Sequence, residues 1–167
     1  MHKNRVEQAF SDHADTVLRA AWHMTGRMQE AEDCTQEAFL RLLSAPDSME
    51  DSHILPWLIR TAVNLAKDYR KSAEHSRTVS LEEDMGLREQ GVCFTSREES
   101  VLGAMMSLPK DVRLPMCLHY VEGYSIEETA QMLHTPRSTI ASRIRRARMK
   151  LKELYQEKRI GKEEAQT

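Results

Sequence analysis

Apolar residues recur along most of this chain at three- and four-residue intervals, and the places where the recurrence stops divide it into helices. Phe10, Ala14, Val17, Leu18 and Ala21 predict a first helix over 4–25, with Trp22 extending the face and Gly26 breaking it. Ala31, Cys34, Thr35, Ala38, Phe39 and Leu42 predict a second helix over 28–43, whose opposite face carries Glu30, Glu32, Asp33, Gln36 and Glu37. The stretch 45–52, APDSMEDS, reads as a loop from its proline, serines and acids. Leu58, Ala62, Leu65 and Tyr69 share one face of a third helix over 55–71, with Trp57, Arg60, Asn64, Lys67 and Arg70 on or beside other faces. These three helices suffice for one small core.

The pattern then lapses. Residues 72–97 hold two glycines, scattered charges and only short apolar pieces, and read as a linker. Helical spacing resumes at Glu98 with Val101, Leu102, Met105 and Met106, breaks at Leu108-Pro109, and returns with Val112, Met116, His119 and Tyr120 until Gly123. Ser125 then caps another helix, with Glu128 three residues on to complete a capping box. Ile126, Ala130 and Leu133 form its stripe, and His134-Thr135-Pro136 ends it, because proline lacks an N–H and disfavours a helical residue before it. Pro136 is placed to open the last helix, or Thr135 to cap it. Its seam is Ile140, Ile144, Ala147, Leu151 and Leu154. No alternating stretch of useful length suggests a strand. The expected fold is all-α: a three-helix domain over 1–71, a linker over 72–97, a four-helix domain over 98–155 containing a helix-turn-helix, and a frayed polar tail over 156–167.

The charge distribution sharpens the picture. The formal net charge is −2 over 167 residues, so bulk charge does not draw this chain to nucleic acid. Basic residues are instead concentrated in the last helix: Arg137, Arg143, Arg145, Arg146, Arg148, Lys150 and Lys152, with no acid among them. A turn followed by an arginine-rich helix suits a DNA major groove, and the small hydroxyls Ser138, Thr139 and Ser142 allow close approach to phosphates. Affinity scales with phosphates neutralised, so the isolated chain is expected to bind DNA weakly. The three cysteines, Cys34, Cys93 and Cys117, form no C-x-x-C pair, which fits a reducing cytosol. Neither a signal peptide nor a membrane span is expected, and a cytoplasmic location follows. The seven histidines and the cysteines form no metal-ligand spacing, and the sequence has neither a phosphate-cradling glycine loop nor a nucleophile elbow. No metal, cofactor, small-molecule substrate or catalytic residue is expected, and the chain is not read as an enzyme.

Two motifs carry a family resemblance. EAEDCTQEAFLRLL at 30–43, followed by PWLIRTAVNLAKDYR at 56–70, resembles region 2 of bacterial sigma factors, and the stretch 108–151 resembles region 4. Both together, across a linker of this size, resemble the extracytoplasmic-function (ECF) group, the minimal promoter-recognition subunits of RNA polymerase. The resemblance implies a stress-response sigma factor. It would bind bacterial core RNA polymerase and promoter DNA under the control of an anti-sigma factor, often membrane-anchored. Glu32, Asp33, Gln36 and Glu37 would dock on the polymerase clamp helices. Asn64 would take an amide position beside a flipped −10 base, with Met49 in the pocket loop and Trp57, Arg60, Lys67, Arg70 and Lys71 around it. On the −35 side, Ala141, Ser142, Arg145 and Arg146 would lie nearest base edges, with Arg137, Ser138, Thr139 and Arg143 on phosphates. Relatives often have glycine where His134 and Ser138 stand, which makes a positive-φ turn costlier here. The competing reading is a free-standing helix-turn-helix regulator that binds operators as a dimer, for which the acidic second helix and Asn64 would be incidental.

Overall fold

The computed structural model describes residues 1–75 and 103–164. Most of the expected linker, from 76, lies outside the described residues, as does Cys93.

The first three helices are α1 (Lys3–Thr25), α2 (Met28–Leu43) and α3 (Asp51–His75). They pack on one another because each carries an apolar stripe: Val6, Ala9, Val17, Ala20 and Ala21 from α1, Ala31, Cys34, Ala38 and Leu42 from α2, Leu58, Ile59, Ala62 and Ala66 from α3. The α1–α2 corner needs a residue with positive φ. Gly26 supplies it at +73°, with its N–H bonded to the Trp22 carbonyl at 2.8 Å. The second helix begins and ends where the spacing placed it, and its six expected inward residues are all buried.

Two expected core residues of these three helices are not in the core. Phe10 is 52% exposed and Tyr69 44%. The stripe on α1 runs through Val6, Ala9, Val17 and Ala20, and Phe10 sits about 100° round from Ala9. It lies edge-on to Phe39 with ring centroids 5.0 Å apart, covering that ring from outside. The α3 stripe centres on Leu58, Ile59, Ala62 and Ala66, leaving Tyr69 at its margin. This helix also starts four residues earlier and ends four later than expected, with Pro56 inside it. The missing proline N–H leaves one carbonyl of its first turns without an intrahelical donor.

A helical turn at 103–106 opens the second domain, followed by α4 (Lys110–Met116). That helix widens at Cys117–Val121, where the Glu122 N–H reaches the Cys117 carbonyl, five residues back, at 3.0 Å. Gly123 then turns the chain at φ +81°. The helix-turn-helix is α5 (Ile126–Met132) and α6 (Arg137–Glu164). Residues 156–164, expected to fray, continue α6. Met105, Leu108, Val112, Met116, Cys117, Ala130, Ile140, Ile144 and Ala147 form a second core.

The two domains touch directly. Leu114, Leu118 and Met132 of the second belong to the first domain's core. Beside them an ion pair crosses the seam: both Nε and Nη2 of Arg19 donate to the Glu122 carboxylate, the latter at 2.9 Å, and Thr16 Oγ1 donates to the same group at 3.0 Å. The widened turn aims Glu122 there, because one extra residue rotates the following side chain by about 100°. Burial disfavours charge on Arg19, but the hydrogen bonds and charge of Glu122 more than offset this, and its pKa is raised. His23 is fully buried near Arg19 and Arg113, and neither ring nitrogen has a hydrogen-bond partner among the described residues. Burial first, then the charges of Arg113 and Arg19, lower its pKa to about 3.

Candidate nucleic-acid interface

The capping box at the entrance to α5 is fully formed. The Ser125 hydroxyl accepts from the Glu128 N–H at 3.1 Å, and the Glu128 carboxylate accepts from the Ser125 N–H at 2.8 Å. The Ser125 backbone N–H first, and its side chain second, hold the Glu128 carboxyl below its ordinary pKa by hydrogen bonding to it. Upstream, His119 Nδ1 lies 2.6 Å from the Tyr124 carbonyl oxygen, which can only accept, so the proton sits on Nδ1. After α5, His134 adopts φ +47°, the left-handed conformation a glycine would take more cheaply. Thr135 caps nothing: its hydroxyl donates to the Leu133 carbonyl at 3.1 Å. Pro136 stands at the N-cap position without capping by its side chain, its carbonyl accepting the first intrahelical bond from the Ile140 N–H at 3.1 Å.

These turns fix how α6 is presented. Ile140, Ile144 and Ala147 are buried, so Ser138, Ala141, Ser142 and Arg145 fall on the opposite face. Arg137, Ser138, Arg145 and Arg146 are exposed, while Thr139, Ala141, Ser142 and Arg143 are partly covered. Arg137 reaches Glu127 of α5 at 3.5 Å, an exposed pair of small energetic weight. Met149 continues the outward face.

The second candidate surface runs along α3. Trp57, Arg60, Asn64, Lys67 and Lys71 recur at helical spacing, with Trp57 and Arg60 partly buried and the other three exposed. The side chain of Arg70 lies outside the described residues. Met49 sits in the 45–50 loop ahead of this stripe. Arg5, which sequence reasoning passed over, grips that loop by donating to the Asp47 carbonyl at 2.9 Å and to the Met49 carbonyl. A cleft of about 1110 Å³ separates the two candidate surfaces. Met49, Leu55, Trp57 and Arg60 line one wall, and Tyr124, Met132, Thr135 and Arg137 the other.

The acidic face of α2 lies away from its core residues: Asp33 and Gln36 are exposed, Glu32 and Glu37 half-buried. Glu37 accepts from Arg41 Nε at 2.7 Å. Leu40, 59% exposed, borders this face, and Tyr69 is close enough to feel Asp33, Glu30 and Glu37. Sequence spacing put Tyr69 inside and did not single out Leu40. Cys34 and Cys117 are buried. Burial, reinforced by Glu30 and Asp33, pushes the Cys34 thiol up to about 11.

A small three-helix domain with an acidic face on its second helix, joined to a helix-turn-helix with an outward basic helix, defines the class: a two-part DNA-recognition protein. Residues 9–76 match the Sigma-70 region 2 family and residues 98–151 the Sigma-70 region 4 family. The chain is 30% identical over 154 residues to the ECF RNA polymerase sigma factor SigE of Mycolicibacterium smegmatis, covering 88% of this chain and 60% of that protein. It is 32% identical over 131 residues to the ECF RNA polymerase sigma-E factor of Escherichia coli K12, covering 70% of this chain and 69% of that one. Its fold matches the sigma factor RpoE, solved with the anti-sigma factor NepR from Bartonella quintana, at a TM-score of 0.70 and 24% identity, over 90% of this chain and 96% of that one.

The chain belongs to the ECF group of RNA polymerase sigma factors, the proteins that bind core polymerase and direct promoter-specific initiation. Sigma factors are not enzymes in the catalytic sense. Among the described residues no helix is long and apolar enough to cross a membrane.

Proposed function

We propose that this chain carries out promoter selection with three separate surfaces, acting in the cytoplasm and without catalysis of its own. Residues 1–71 form the unit that docks on core polymerase and handles the −10 element. Residues 98–155 form the unit that reads the −35 element.

The observation that carries the −35 assignment is the face of α6 opposite its buried seam. Ser138, Ala141, Ser142 and Arg145 project there from a helix whose entry is fixed by a capping box and a left-handed turn. Ala141, Ser142, Arg145 and Arg146 are assigned to base edges, and Arg137, Ser138, Thr139 and Arg143 to phosphates. Arginine suits the first task because its fork binds guanine O6 and N7 together. On α3, Asn64 supplies an amide for a flipped base. Met49 and Trp57 wall its pocket, and Arg60, Lys67, Arg70 and Lys71 serve the backbone. On α2, Glu32, Asp33, Gln36 and Glu37 meet a basic helical surface of the polymerase, where complementary charge speeds and orients docking.

Control by an anti-sigma factor is part of the proposal. The solved relatives that share the fold were captured with such partners, RpoE with NepR and CnrH with the cytosolic domain of CnrY. The cleft between the two domains, with Leu55, Trp57 and Tyr124 among its lining residues, suits an apolar helix face from such a partner.

The test mixes the purified chain with bacterial core RNA polymerase lacking sigma and follows it by size exclusion. Co-elution at one chain per core, lost with Asp33→Arg, is the expected result. A chain that ignores core polymerase but binds duplex DNA as a dimer would overturn the proposal.

A further inference from the structure

The loop at 45–50 makes few backbone hydrogen bonds of its own. It contains no glycine, and its backbone bonds are short-range: the Met49 N–H to the Pro46 carbonyl at 3.3 Å, and the His53 N–H to the Glu50 carbonyl at 3.0 Å. What holds it is the opening of α1. Arg5 Nη1 donates to the Asp47 carbonyl at 2.9 Å and Nη2 donates to the Met49 carbonyl. Arg5 Nε and Nη2 both reach Asp51 Oδ1, at 2.8 and 2.6 Å. Beside it, the His2 N–H donates to Asp47 Oδ1 at 2.8 Å.

One guanidinium therefore binds the loop at its middle, at its end and at the first residue of α3. The guanidinium reaches two carbonyls and a carboxylate from three separate nitrogens, a spread that a single ammonium nitrogen does not have. A lysine has the charge but not the fork. The side chain of Arg5 is 28% exposed and turned toward the loop, so its donors are engaged within the protein rather than offered outward.

We infer that Arg5 is a positioning residue for −10 readout: it sets the backbone on which Met49 sits, and through it the base that the loop accepts. This rests on the proposed role of the loop in holding a flipped base. A loop that must discriminate bases has to be ordered before the base arrives. A loop that is not held can shift its backbone to suit each base in turn, and the difference between bases shrinks. Arg5 does that ordering from a different helix and touches no base itself.

The experiment uses the full chain assembled with core RNA polymerase. The probe is a pool of single-stranded non-template DNA randomised across the melted segment, from which bound sequences are counted. Arg5→Ala is expected to flatten the preference at the position read by the loop by about tenfold, the size of one lost charge-assisted hydrogen bond. Core affinity and −35 preference stay as in the parent chain. Amide exchange at Met49 and His53 accelerates while α2 keeps its protection. Arg5→Lys recovers little of the preference.

Unchanged base counts and unchanged loop exchange in Arg5→Ala would overturn the inference. Full recovery by Arg5→Lys would also overturn it, since charge alone would then suffice. Met49→Ala separates the two layers. If it alters the preference and Arg5→Ala does not, the inference fails alone; if Met49→Ala has no effect, the loop is not the reader and both fall. Should Arg5→Ala not fold, Asp51→Ala removes one acceptor of the fork and carries the same expectation at smaller size.

Discussion

The two domains are built with different amounts of internal support. The first is built from helices of 23, 16 and 25 residues whose stripes meet in one core. In the second, α4 and α5 are seven residues each, too short to stand on propensity. Part of its apolar surface, Leu114, Leu118 and Met132, is buried against the first domain instead of in its own core. The helix-turn-helix domain thus leans on the three-helix domain, and the seam should matter more to the second domain than to the first.

Breaking the seam is the strongest test. Glu122 is only 8% exposed beside Arg19, and Arg19→Ala leaves it with Thr16 as its remaining hydrogen-bond donor among the described residues. Removing one partner of a buried ion pair costs about 3–5 kcal/mol. The loss should appear in chemical denaturation as a first transition in which α4–α6 lose protection from amide exchange before α1–α3. Simultaneous loss across both domains would mean that they fold as one unit and that the asymmetry is only geometric.

On DNA the asymmetry should run the other way, with effects confined to the second domain. Arg146→Ala is expected to cost about 1–3 kcal/mol and to relax preference at one −35 position, measured on promoter variants with the assembled polymerase. An identical ranking of the variants before and after would remove Arg146 from base reading.

How far the sequence foretold this depends on the range of the contact. The boundaries of α2 and the capping box were legible because helix spacing and caps are local. The left-handed turn at His134 was legible as a strained position because the resemblance marked it as one where relatives have glycine. Phe10 and Tyr69 were misread because spacing locates a stripe but not its edges, and each lies one step off the centre. The continuation of α6 was missed because polar residues carry no stripe, yet they form good helix when started from a packed one. Arg19 and Glu122 are 103 residues apart and gave no local signal. The grip of Arg5 on the loop crosses 44 residues and was equally invisible.

His23 offers a proton as a probe of the burial beside the seam. It faces Arg19 on its own helix and Arg113 of α4, with Glu122 engaged by Arg19. The folded chain keeps it neutral down to about pH 3, whereas the unfolded chain protonates it near its ordinary 6.5. Between those values the unfolded state binds more protons, so stability falls as pH drops below about 6.5, by up to about 1.4 kcal/mol per pH unit. Denaturant midpoints between pH 6.5 and 5 should carry this slope, and His23→Leu should flatten it. A slope that survives the substitution would assign the titration elsewhere.

The smallest effect separates the domains most cleanly. Ser125→Ala removes the hydroxyl that accepts from the Glu128 N–H and should cost about 1 kcal/mol, the usual worth of a helix N-cap. Ser125→Asp, which keeps an acceptor at the cap, should cost much less. Because α5 has only seven residues, losing its cap should loosen the whole helix and with it the turn that aims α6. Amide exchange should rise across α5 and the start of α6, and −35 affinity should fall, while core polymerase binding through α2 is unchanged. Glu128 gives the same test by pH: its folded pKa is depressed, so its contribution is present above the ordinary carboxylate value of 4.5 and is lost as pH falls through the lower folded value. If Ser125→Ala weakened core binding as much as −35 binding, the second domain would be transmitting its disorder across the seam, and the dependence between the domains would run in both directions.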